Sequence, residues 1–161
     1  MSATENFSGG CQCGAVRYRI DGGLRYPHVC HCRMCQKASG NYFMPLAASS
    51  RAQFELTRGE VSWFQSSDQV RRGFCGRCGT PLFYDLPDAD FINITLGSLD
   101  EPERVIPDAQ SNLVDKMHWF ADLDGLPVEP EPASDENRVP VNNRQHPDHD
   151  TAEWPPKESE I

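Results

Sequence analysis

The chain has 161 residues, 38% of them hydrophobic, and a formal net charge of −9 at pH 7. That acidity argues against non-specific attachment to nucleic acid or anionic membrane, and no apolar run approaches the roughly 18 residues of a membrane span. With 13 prolines and 12 glycines the apolar core is expected to be modest, so bound metal is expected to share the work of folding.

Residues 1–10 contain no basic stretch followed by an apolar run. No secretory leader is expected, which points to a reducing compartment, the cytoplasm, where cysteines stay as thiols. Residues 15–20 alternate: Val16, Tyr18 and Ile20 face one way, Arg17 and Arg19 the other. That is a half-buried strand, ended by Gly22 and Gly23. A second strand is expected over 28–32, then a short helix over 32–38 stopped by Gly40. Further strands are expected over 42–47, 53–57, 61–64, 70–74, 81–84 and 91–96, with Pro45 demoting its segment to an edge or a bulge. Short runs separated by Gly, Pro, Asp and Ser predict a mainly β, mostly antiparallel chain. Phe74, Phe83, Tyr84 and Phe91 read as core.

From residue 128 the composition changes. Residues 128–161 carry nine acidic and three basic side chains, against fifteen and twelve over 1–127, so most of the excess charge sits in a Pro-rich tail. Such a segment buries too little apolar surface to offset its ordering entropy. The expected organisation is a domain over 1–127 and an extended or disordered tail over 128–161. Trp154, the tail's one aromatic residue, would anchor it to its own domain or to a second copy of the chain in a homo-oligomer.

All seven cysteines lie in the first half, in three clusters: Cys11 and Cys13; Cys30, Cys32 and Cys35; Cys75 and Cys78. An odd count suits disulfides poorly, whereas this spacing suits metal–thiolate chemistry. Four thiolates close one tetrahedral site, and three leave a second ion with an open position. On a strand, Cys11 and Cys13 would point to one face, while Cys75-Gly76-Arg77-Cys78-Gly79 reads as a knuckle. Spacing alone leaves the pairing open, because Cys11 and Cys13 could also join Cys30 and Cys32. His31, between two cysteines, would point to the opposite face of a strand. His118 reads as packed or exposed, and His146 and His149 as weak metal scavengers at best.

The order Gly-Gly-Cys-Gln-Cys-Gly-Ala-Val-Arg-Tyr, then Cys-His-Cys-Arg-Met-Cys-Gln-Lys-Ala-Ser-Gly, then Gly-Phe-Cys-Gly-Arg-Cys-Gly-Thr-Pro-Leu-Phe-Tyr resembles the glutathione-dependent formaldehyde-activating enzyme family, also called centromere protein V-like. The likeness continues through Ile-Thr-Leu-Gly-Ser-Leu-Asp at 94–100 and covers about residues 8–127. It implies an Mss4-like, zinc-stabilised antiparallel β fold with short helical turns. It also implies two zinc ions per chain: a structural ion on Cys11, Cys13, Cys75 and Cys78, and a catalytic ion on Cys30, Cys32 and Cys35. The activity it implies is that of a carbon–sulfur lyase, joining glutathione and formaldehyde as S-hydroxymethylglutathione.

A zinc-coordinated thiol loses its proton near neutral pH and can add to an aldehyde carbonyl. An anionic thiol such as glutathione would need local positive charge, and Arg33, Lys37, Arg71, Arg72 and Arg77 lie near the clusters. The expected function is therefore a zinc enzyme acting on a thiol–aldehyde adduct. The alternatives are a non-catalytic zinc scaffold for protein contacts and a thiol or metal sensor.

Overall fold

The computed structural model describes residues 5–130 and 144–156. Residues 1–4, 131–143 and 157–161, which include much of the expected tail, lie outside the described residues.

Three strands form a small sheet: β1 (Asn6–Gly10), β2 (Arg17–Asp21) and β5 (Phe54–Arg58), in the order β1-β2-β5. The larger sheet contains β3 (Arg25–Cys30), β4 (Met44–Ser50), β6 (Ser62–Gln65), β7 (Arg71–Phe74), β8 (Pro81–Asp85), β9 (Phe91–Thr95) and β10 (Ala109–Ser111). Its order is β10-β3-β4-β9-β8-β7-β6. An α-helix, α1 (Arg33–Ser39), follows β3 and closes on Gly40, whose φ of 64° suits a residue without a Cβ. The chain is thus mainly β, in two sheets with short helical turns.

The core lies between the sheets. Phe7, Tyr18 and Ile20 from the small sheet pack with Ala47, Phe83, Ile92 and Ile94 from the large one. The Tyr18 and Phe83 rings meet edge-on at 5.4 Å, and the Tyr18 hydroxyl shares a 2.7 Å hydrogen bond with Ser98 Oγ. Large apolar residues on alternate positions of β2 and β9 thus fill one face of each sheet.

Three local expectations are corrected. Pro45 does not put its segment at an edge, since β4 is internal, between β3 and β9; the bulge that was the other expectation lies in the β3–β4 pairing, between Arg25 and His28 opposite Ala48 and Leu46. The pairing of β4 with β9 begins only at Leu46, so the missing N–H of Pro45 costs no bond to that strand. Cys11 and Cys13 lie in the loop between β1 and β2 rather than on a strand. Arg17 is not on a wet face: it is buried, and its guanidinium grips Asp100 through 2.7 and 2.5 Å hydrogen bonds. β1 and β10 escaped the sequence reading. β1 carries two glycines and no clean alternation, and β10 is three residues paired parallel to β3.

Residues 144–156 carry no strand or helix and lie against the β1–β2 loop. The His146 amide donates to the Gln12 carbonyl at 2.7 Å, Asp150 pairs with Arg17 at 2.8 Å, and Trp154 Nε1 donates to the Cys13 carbonyl at 2.6 Å. The approach is so close that a Cβ on Gly14, whose φ is 75°, would fall 2.0 Å from the His146 ring. The expected anchor Trp154 therefore sits on its own chain, with its ring under the Arg77 guanidinium at 4.5 Å.

Candidate metal centres

The first cluster unites residues more than sixty positions apart. The β1–β2 loop supplies Cys11 and Cys13, and the turn between β7 and β8 supplies Cys75 and Cys78; the four Sγ atoms lie within 4.8 Å of one another. The Cys11–Cys13 and Cys13–Cys75 sulfur separations are 3.6 and 3.9 Å. A tetrahedron with ~2.3 Å metal–sulfur bonds has edges of about 3.8 Å, so the spacing suits a small four-coordinate ion. Backbone amides already face the sulfurs: Val16 N–H donates to Cys11 at 3.3 Å and Arg77 N–H to Cys75 at 3.4 Å. Such donors stabilise thiolate charge. Burial pushes the Cys11 thiol up to about 12. Burial also raises Cys78, but hydrogen bonds involving Thr80 and Cys13 outweigh it and bring that thiol down to about 6. Four thiols this close, two of them buried, cannot all ionise without a cation among them, and a cation would make the set favourable.

The second cluster is local. Cys30 ends β3, Cys32 caps the N-terminus of α1, and Cys35 lies in its first turn; their Sγ atoms also fall within 4.8 Å of one another. The cap is a sulfur cap, with Cys35 N–H donating to Cys32 Sγ at 3.4 Å. Burial opposes ionisation of Cys30, yet hydrogen bonds from the Cys32 backbone and Ser111 leave its pKa lowered. Asn112 Nδ2 donates to the Cys30 sulfur at 3.3 Å. Burial pushes Cys35 up to about 12, although Arg72 Nη2 donates to it at 3.5 Å. Three donors of this kind fit a metal ion and leave one coordination position free.

The two clusters differ in surroundings. Cys11 and Cys75 belong to the main core, and residues 144–156 lie over the first cluster's loop. The trio opens on a cavity of about 690 Å³. Its floor is the face of the large sheet turned away from the core. Strand register lines up Arg25, Ala48, Asn93, Tyr84 and Arg72 in one row across β3, β4, β9, β8 and β7. The sequence reading placed Tyr84 and Phe91 in the core: Tyr84 packs against the small buried cluster of Cys30, Cys35, Met44 and Leu46 and also lines this cavity, while Phe91 lines the cavity, as do Arg25, Asp90, Asn93 and Asn112, which the reading passed over. No spacing signal marks single polar residues on different strands; only the alternation of β9 hinted that Phe91 and Asn93 share a face.

Of the five basic residues singled out, only Arg72 lines the cavity. Arg71 binds Asp85 and stacks on Trp63, Arg77 covers Trp154, and Arg33 donates to Gln36. Lys37 is exposed in the last turn of α1. Arg72 is buried and its ring contact is with Tyr84 at 5.0 Å. His31 joins neither cluster. It is fully buried, with Nε2 3.1 Å from Gln110 Oε1, its ring edge-on to Phe120, and Nδ1 without a hydrogen-bond partner among the described residues. His118 and His149 are exposed, while His146 is buried and hydrogen-bonded to Thr151.

Fold and site together define a small two-sheet β protein with two cysteine clusters able to hold metal, one set against the main core and one facing the large cavity. Residues 6–115 match the family described as glutathione-dependent formaldehyde-activating enzyme, and the chain belongs to that family. A Halomonas elongata protein provisionally named a glutathione-dependent formaldehyde-activating enzyme is 29% identical over 111 residues, covering 60% of this chain and 71% of that protein. A Rhodobacter sphaeroides protein of known crystal structure shares the fold, with a TM-score of 0.54 and 18% identity, over 65% of this chain and 99% of that one. Among the described residues no helix is long and apolar enough to cross a membrane.

Proposed function

We propose that this chain is a cytoplasmic zinc enzyme of the carbon–sulfur lyase type that makes and breaks thiol–aldehyde adducts. Residues 1–127 form the working domain in this reading. Zinc on Cys11, Cys13, Cys75 and Cys78 staples the fold, and zinc on Cys30, Cys32 and Cys35 serves the reaction. The supporting observation is the contrast between the clusters: four donors away from the cavity, three donors facing it.

Zinc bound by the trio would supply an open position at which a substrate thiol loses its proton and gains nucleophilicity at neutral pH. The protein's own groups do the rest. Arg72 places a fixed positive charge beside Cys35, offsetting the surplus negative charge of three thiolates and attracting an anionic substrate. Asn112 holds the Cys30 side chain in place. The cavity walls, Leu46 and Phe91 among them, limit water around the reacting atoms. In the forward direction the thiol sulfur bonds to the carbonyl carbon, the C=O π pair moves to oxygen, and the thiol's proton ends on that oxygen. Cleavage is the reverse.

Family membership and the Halomonas relative's name support glutathione as the thiol and formaldehyde as the aldehyde. NMR exchange spectroscopy of that pair, with and without the zinc-loaded protein, tests the reading. Exchange faster than the spontaneous rate, lost in Cys35→Ser, is expected. An unchanged rate would remove this substrate pair and favour a non-catalytic zinc scaffold or sensor.

A further inference from the structure

A thiol held at Cys30, Cys32 and Cys35 must extend over the floor of the cavity beside them. The polar groups left free along that floor therefore state what the thiol carries. Arg72 is committed to Cys35 at one end. Two other polar side chains in the same cross-sheet row keep unused hydrogen-bonding capacity: Asn93 on β9 and Arg25 on β3.

Asn93 is only 8% exposed and stands on the middle strand of the large sheet. Its neighbours Ile92 and Ile94 fill the core, so Asn93 faces the other way, toward the cavity that it lines. Its Nδ2 donates to the Tyr84 carbonyl at 3.3 Å, and its Oδ1 has no hydrogen-bond partner among the described residues. A side-chain amide so far withdrawn from water loses hydration that a ligand would restore. Its natural complement is another amide, which offers an N–H to Oδ1.

Arg25 lies opposite Ala48, which lies opposite Asn93, so the Asn93 and Arg25 backbones stand two strands, or about 10 Å, apart. Arg25 is exposed, and among the described residues no carboxylate pairs with it, Asp90 of the same cavity included. In a chain of net charge −9 that is uncommon: Arg17, Arg19, Arg51, Arg71 and Arg104 each hold a carboxylate. Arg25 also precedes Cys30 by five residues, about 15 Å along β3. Even with both side chains extended toward each other, a gap of several ångströms remains. The carboxylate of cysteine, two carbons from its sulfur, does not bridge it; a carboxylate beyond an amide linkage does.

We infer that the thiol partner is a peptide thiol, whose amide pairs with Asn93 and whose remote carboxylate pairs with Arg25. This deepening rests on the reading of the trio as the place where the thiol is held. It makes Asn93 and Arg25 the residues that favour a peptide over cysteine and short mercaptans.

The test uses the full-length zinc-loaded chain and calorimetric binding of S-methylglutathione, whose blocked sulfur cannot add to an aldehyde. S-Methylcysteine and the diethyl ester of S-methylglutathione serve as comparisons. The wild type is expected to bind S-methylglutathione about tenfold more tightly than S-methylcysteine and about fivefold more tightly than the diester, the size expected of an exposed ion pair. Arg25→Met should weaken S-methylglutathione about fivefold and close most of the gap to the diester, while Arg25→Lys keeps most of it. Asn93→Leu, of similar size without the amide, should weaken S-methylglutathione and its diester alike. Should Asn93→Leu fail to fold, the exposed Arg25 variants and the ester comparison still decide. Absence of S-methylglutathione binding, or binding that ignores the Arg25 substitutions and the ester, overturns the inference. If binding depends on Arg25 but the wild type does not accelerate glutathione–formaldehyde exchange, the thiol–aldehyde reading fails and peptide recognition stands. If exchange is accelerated and binding ignores Arg25, only the peptide recognition fails.

Discussion

The Arg72 guanidinium lies 3.5 Å from the Cys35 sulfur, and among the described residues no carboxylate pairs with it. Its other donors go to Ser66 Oγ and Met44 Sδ. A buried cation needs a counter-charge, and the cysteine trio is the group in position to supply it. Arg72→Met should therefore weaken metal binding at the trio. A hydrogen bond to a charged group is worth about 1.5–3 kcal/mol, so affinity should fall roughly tenfold or more. Cobalt titration read through the thiolate charge-transfer band checks this; binding at the four-cysteine cluster should stay unchanged.

The two clusters should separate by their effect on the fold. Cys75 belongs to the main core, whereas Cys35 belongs to a small satellite cluster with Cys30, Met44 and Leu46. Metal analysis should give two zinc ions per chain for the wild type and one for Cys35→Ser. Cys75→Ser should lower the melting temperature sharply, since structural zinc sites contribute on the order of 10 kcal/mol to folding. Cys35→Ser should abolish turnover with a small change in melting temperature.

The segment 144–156 should slow loss of metal from the four-cysteine cluster. Trp154→Ala removes the hydrogen bond to the Cys13 carbonyl and the contact with Arg77. Together these are worth about 1–2 kcal/mol. Chelator extraction of the first zinc should accelerate several-fold, with extraction from the trio unaffected. Equal rates in the variant and the wild type would mean that the segment does not guard that cluster.

Docking of that segment should weaken in acid. Burial pushes the His146 pKa below its ordinary value; the Pro147 carbonyl opposes this, and the nearby Arg17 and Arg58 reinforce it. The docked form therefore resists a proton that the released form accepts below about pH 6.5. The released state binds more protons, so docking loses stability as pH falls from 7 toward 5. Amide hydrogen exchange over residues 146–151 should quicken across that window, and His146→Gln should flatten the pH dependence.

Much of this fold was legible because its signals are local. The alternation of Val16, Tyr18 and Ile20 marked a strand whose apolar face is buried to within 1%. Gly40 marked the end of the helix. Pro45 misled because the rule against proline inside a sheet concerns hydrogen bonds on both sides, and β9 does not pair as far as Pro45. Phe91 misled because an aromatic residue looks the same in sequence whether it faces a core or a cavity.

The sequence by itself determined the chemistry available: seven thiols in three clusters, their order, and one trio short enough to converge within a single loop and helix turn. Folding decided which distant thiols meet. Cys11 and Cys13 reach Cys75 and Cys78 because β2 and β8 bury their apolar faces in one core, which brings the two turns together. Folding also decided that Arg72, Ala48 and Tyr84 share a floor beside Cys35. They lie on different strands, and only hydrogen-bonded register, set by the buried face beneath them, aligns side chains so far apart along the chain.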